Sequence, residues 1–144
     1  MRVYLDNCCF NRPYDNQSKL RIRLEAEAKL AIQEEIRKGA LKLIWSYILD
    51  YENSKNPFRE RRNQISTWRK YSTEEIVENK KLLDIARTLR GHGIKKIDTL
   101  HIASAIYAGA DYFLTTDDGI LKKATLIKDT HVTDPIGFIK EVLI

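Results

Sequence analysis

The sequence predicts an α/β protein: a three-layer α/β/α sandwich around a mainly parallel sheet of four to five strands. Two observations predict it. Short strand-like apolar runs alternate with amphipathic stretches of helical period along the chain, the pattern of a parallel sheet covered on both faces. No linker, repeat or low-complexity segment interrupts the 144 residues, so residues 1–144 are expected to form one domain, long enough for a real core.

The elements follow in order. Residues 2–5 are strand-like. Ser18 opens a long helix in which Leu20, Leu24, Ala28 and Ala31 recur at helical spacing, and Gly39 ends it. Residues 41–45 form a second strand-like run. Ser46 can cap a short helix reaching to about Asn53. Asn56-Pro57 breaks that helix, and Pro57 suits the first turn of the next, strongly basic piece, "PFRERRNQISTWRKY". Ser72 and Glu75 stand in capping-box spacing and predict a further helix, with Ile76, Leu82, Leu83, Ile85, Ala86 and Leu89 on its apolar face and Gly91 and Gly93 as its stop. Residues 97–108 read as a helix rich in small residues, packed close to the sheet. Residues 111–115 are a third strand, 119–124 a short helix, 131–133 a fourth strand and 136–143 a closing helix.

Composition bounds the chemistry. Apolar residues make up 43% and charged residues 31% of the chain, a globular balance. No run approaches the ~20 apolar residues of a membrane helix, and a chain that opens on a strand-like segment is expected to have no signal peptide to remove. Cys8 and Cys9 are adjacent and without other cysteines to pair with, which points to a reducing compartment, the cytoplasm, and away from a cysteine zinc site. The net charge of +5 is compatible with a polyanionic partner.

Carboxylates recur beyond the strands. Asp6 follows the first, Glu52 lies six residues past Ser46 after the second, Asp98 opens the helix leading into the third, and Asp117 and Asp118 follow the third. In open parallel sheets ligands bind outside the carboxyl ends of the strands. Taken singly, Asp6 and Asp117 read as helix caps and Glu52 as a surface residue. Taken together, they would crowd one cleft. Two like charges ~4 Å apart cost about 1 kcal/mol in water and about 4 at an effective dielectric near 20, so a cation or protonation must compensate them. Carboxylate oxygens suit Mg²⁺ or Mn²⁺.

The stretches "YLDN", "SYILDYE", "IDTLHIASA" and "FLTTDD", in this order over nearly the whole chain, resemble the PIN domain of VapC-type toxins. The resemblance assigns Asp6, Glu52, Asp98 and Asp117 as metal-binding catalytic acids, with Asn7, Ser46, Thr115, Asp118 and His101 around them. It implies a Mg²⁺- or Mn²⁺-dependent endoribonuclease, the toxin of a toxin–antitoxin pair, with RNA as substrate, a cognate antitoxin protein as partner and a homodimer as assembly. The chain departs from the family at Asp6-Asn7-Cys8, where Asp-Thr-Asn or Asp-Ser-Asn is usual. Asn7 can still hydrogen-bond a neighbouring acid, whereas a thiol replaces an amide poorly. Asp118 could stand in for Asp117, and register prefers Asp117.

The remaining residues divide between function and scaffold. His101 lies one helical turn past Asp98, where it could orient that carboxylate or be an ordinary helix residue. Cys8 and Cys9 read as small buried residues, Asp50 as solvated, and Asp111 as a strand cap. Arg59, Arg62 and Arg69, with Trp68 and Tyr71 close by, suit single-stranded RNA through phosphate contacts and stacking, or form a solvated helix face. A catalytically silent RNA-binding module and a small-molecule phosphatase are the competing functions; the full acidic set argues against the first, and the basic helix against the second.

Overall fold

A computed structural model describes all 144 residues. The chain runs through β1 (Arg2–Leu5), α1 (Asn7–Asn11), α2 (Leu20–Arg37), β2 (Lys42–Ser46), α3 (Tyr47–Ser54), α4 (Arg59–Ser66), β3 (Ser72–Ile76), α5 (Lys80–Arg90), α6 (Lys96–Tyr107), β4 (Tyr112–Leu114), α7 (Asp118–Leu121), β5 (His131–Thr133) and α8 (Pro135–Phe138). The five strands form one sheet in the order β3-β2-β1-β4-β5, parallel throughout. Right-handed crossovers place α1 to α4 on one face and α5 to α7 on the other, and α8 returns against α2. The expected layered, parallel α/β architecture is the one found.

β1 is central, and its neighbours bury it on both faces. Val3, Tyr4 and Leu5 have no exposed surface, the continuous apolar run of a strand covered on both sides. Side chains alternate across the sheet. Tyr4 stacks on Phe113 of β4, on the same face as its contact with His101 of α6, while Trp45 of β2 meets Phe10 of α1 edge to face. The strand order reverses direction at β1, since β2 and β3 lie to one side and β4 and β5 to the other. The crevice at the carboxyl ends of β1 and β4 is therefore the topological switch point, where such sheets bind ligands.

Two expectations are corrected. Residues 72–76 are strand β3 rather than the first turns of a helix. β3 is the sheet edge beside β2, with only Ile76 buried. Its polar composition suits an edge strand and hides the strand signal. The helix begins later, at α5, where the Asn79 side chain accepts from the Leu82 amide at 3.0 Å. The second correction concerns α2. Leu20, Leu24 and Ala31 of its expected apolar face are exposed. The inward face carries Glu25, Ala26, Lys29, Ile32, Gln33 and Ile36, so three polar side chains enter the core. Glu25 is held there by Arg12 at 2.9 Å and Arg21 at 3.3 Å, because a buried carboxylate needs charged partners.

Candidate metal centre

β1 delivers Asp6 to the switch point. The Asp6 amide donates to the Leu114 carbonyl at 2.9 Å, which carries the β1–β4 ladder one residue past the end of β1. Its carboxylate is buried, accepting from the Asn7 amide at 2.8 Å and from the Thr115 hydroxyl at 2.8 Å. Asp6 thus also caps α1. The Asp117 amide donates to the same Thr115 oxygen at 3.1 Å, so one hydroxyl ties Asp6 and Asp117 together. Asp117 in turn caps α7, accepting from Gly119 at 3.0 Å.

β2 ends on Ser46, whose hydroxyl accepts from the Leu49 amide at 3.3 Å and starts α3. Glu52 lies on the last turn of α3, half-buried, and its Oε1 meets Nε2 of His101. His101 is fully buried on α6, and its Nδ1 lies 2.6 Å from the Tyr4 hydroxyl, which lies 2.6 Å from Ser46 Oγ. Nε2 also approaches Asp6 Oδ1 at 3.7 Å. Burial, then the charges of Asp6 and Asp117, push the Asp98 carboxyl up to about 6, the response expected of an acid among acids.

A cleft of about 250 Å³ is lined by Asp6, Asn7, Cys8, Glu52, Asp98 and Asp117. Larger hollows lie elsewhere, one of about 620 Å³ beside residues Asp111 and His131 at the opposite, amino end of β4 and β5; none of them gathers a comparable set of acids. The tightest group of potential ligand atoms is that of Asp6, Glu52 and His101, all within 4.8 Å of one another. The oxygen donors fit a divalent cation: carboxylate oxygens and the Asn7 Oδ1, which is buried without a hydrogen-bond partner.

Asp118 points away from the cleft, exposed and paired with Arg21 at 2.8 Å. Asn7 engages Asp6 through its backbone, not its side chain. Cys8 is half-buried with its thiol 3.4 Å from Asp6 Oδ2, and it accepts from the Thr116 amide at 3.3 Å. Asp50, read as solvated, accepts from the Trp45 indole at 2.9 Å. Arg62 donates to the Asn56 carbonyl at 2.9 Å, and Arg69 pairs with Glu75. Of the three expected RNA-binding arginines, Arg59 alone is exposed with no polar partner. Arg61 instead stacks over Phe58 at 4.6 Å and Tyr14 at 5.5 Å. Sequence reasoning missed Tyr4, although its position two residues before Asp6 on an extended strand puts both on one face.

Fold and cleft together define a parallel α/β protein with an acidic centre at the switch point of its sheet. Among solved structures, the chain is similar to one in the crystal structure of VapBC2 from Rickettsia felis bound to a DNA fragment from their promoter. The match has a TM-score of 0.59 and 17% identity, over 93% of this chain and 98% of that one, a likeness of fold. No family model matches the sequence, and no curated protein matches it.

Proposed function

We propose that the protein is a metal-dependent endoribonuclease, the toxin of a toxin–antitoxin pair, with Asp6, Glu52, Asp98 and Asp117 holding Mg²⁺ or Mn²⁺. The observation that carries the reading is the single cleft lined by all four acids at the carboxyl ends of β1 and β4. The solved VapBC2 complex of the same fold supports an antitoxin partner, and the exposed Leu20 and Leu24 on α2 offer apolar surface to that partner or to a second copy of the chain.

The chain's residues would act in distinct ways. Thr115 and the Asn7 amide fix Asp6 in one rotamer, and His101 fixes Glu52, so the oxygens are arranged before substrate arrives. Asp98, half-buried and raised in pKa, is the acid whose charge depends most on a compensating cation. A divalent ion, when bound there, polarises a phosphoryl oxygen and lowers the pKa of water. Arg59, at the start of α4, is free to take an RNA phosphate. The test is cleavage of total RNA with Mg²⁺ or Mn²⁺ by the parent and by Asp6→Asn. Cleavage by the parent alone supports the reading; equal cleavage by both refutes it.

A further inference from the structure

We infer that His101 is itself a metal ligand, through Nε2, and that the Tyr4–Ser46 hydroxyl pair lets it become one. This rests on the metal centre proposed above and adds a nitrogen to a site read so far as oxygen only. Nε2 faces Glu52 Oε1 and lies 3.7 Å from Asp6 Oδ1, and the three ligand atoms fall within 4.8 Å of one another. Two ligand atoms each about 2.0–2.2 Å from one ion lie roughly 3–4.4 Å apart, a range that holds the 3.7 Å between Nε2 and Asp6 Oδ1, while the direct contact of Nε2 with Glu52 has to open to admit the ion.

The other ring nitrogen has the partner a metal-bound imidazole requires. Nδ1 lies 2.6 Å from the Tyr4 hydroxyl, which lies 2.6 Å from Ser46 Oγ, which already accepts from the Leu49 amide. The chain of hydroxyls can run in either direction. Without a cation, Ser46 donates to Tyr4, Tyr4 donates to Nδ1, and Nε2–H donates to Glu52. With a cation, the other tautomer is the one that fits, with the ring hydrogen on Nδ1. Nδ1–H then donates to Tyr4, Tyr4 donates to Ser46, and the Nε2 lone pair turns to the metal. A hydrogen bond to the remote nitrogen is the usual support of a ligating histidine.

One consequence is metal preference. Mg²⁺ takes oxygen ligands, whereas imidazole suits first-row transition ions, so the centre should favour Mn²⁺ over Mg²⁺ more than four carboxylates would. Pulsed electron paramagnetic resonance of the Mn²⁺-loaded protein reads this directly, through hyperfine coupling to ring-labelled histidine nitrogen. The double variant His92→Asn, His131→Asn leaves His101 as the sole imidazole, and both replaced residues are exposed. Coupling in the parent, retained in the double variant, is the expected result. Tyr4→Phe should keep the ring stack on Phe113 yet weaken Mn²⁺ binding by about tenfold in calorimetry, with Mg²⁺ binding changed less. Bound Mn²⁺ without nitrogen coupling in the double variant overturns the assignment of His101 and leaves the acidic centre standing. Absence of any Mn²⁺ binding overturns both.

Discussion

Replacing Lys29 by methionine should stabilise the protein at low pH and progressively less at high pH. Lys29 sits on the inward face of α2, 3% exposed, with no carboxylate in reach. Its ammonium lies over ring faces, 5.2 Å from the centre of Phe10 and 5.7 Å from that of Trp68, with the Cys9 thiol near. Burial lowers its pKa from 10.5 to about 7. At ~1.36 kcal/mol per tenfold change in proton affinity, that fall places roughly 5 kcal/mol against the folded state when the group is charged. Below pH 7 both states carry the proton, and the cost is full. Between pH 7 and 10.5 the unfolded chain keeps the proton that the folded one has released, so stability rises with pH by up to ~1.36 kcal/mol per unit. Lys29→Met removes this rise. Urea unfolding should find the variant more stable by up to about 5 kcal/mol at pH 6, with the gap narrowing by about 2.5 kcal/mol by pH 9. Tyr4, which burial pushes upward, is shared by both proteins and drops out of the comparison, and burial pushes the Cys9 thiol up against a smaller opposing pull from Lys29. A gap that is constant across pH, or a variant less stable at pH 6, would refute the reasoning.

Three further outcomes follow from the cleft and the basic helix. Asp6→Asn and Asp98→Asn should each abolish RNA cleavage while leaving the far-ultraviolet dichroism of the parent; cleavage at the parent rate in both would disprove the assignment. Mn²⁺ should raise the melting temperature, with saturation at 100 times Kd adding about 2.7 kcal/mol, and a shift that survives intact in Asp98→Asn would place the ion elsewhere. In a catalytically dead background, Arg59→Ala should weaken RNA binding and flatten the salt slope by about 0.7, one phosphate contact on a single strand; Arg62→Ala, whose guanidinium is already engaged with Asn56, should leave that slope unchanged.

The legible parts of the fold were those where local pattern and tertiary environment agree. β1 is apolar because it is covered on both faces, and Asp6 after it stood out for that reason. β3 was missed because an edge strand may be polar on every exposed position, and Ser72 with Glu75 imitated a helix start. The buried face of α2 was misread because an apolar period cannot register its polar members: Glu25 is held by Arg21, one turn before it, and by Arg12, thirteen residues away, and Lys29 has no hydrogen bond at all. At the site, the acids were legible from their spacing after strands. The tie between Asp6 and Thr115 spans 109 residues, and only the folded sheet reveals that one hydroxyl serves two acids.

That long tie has a consequence during synthesis. The cleft needs β4 hydrogen-bonded to β1, so a growing chain that has emerged only through α5 carries Asp6 and Glu52 but not the seat of Asp117. Contacts of such sequence separation form late and raise the contact order of the fold. A ribosome-bound fragment therefore lacks the assembled centre, and the order of strands in the sheet acts as a timer, withholding that centre until nearly the whole chain is made.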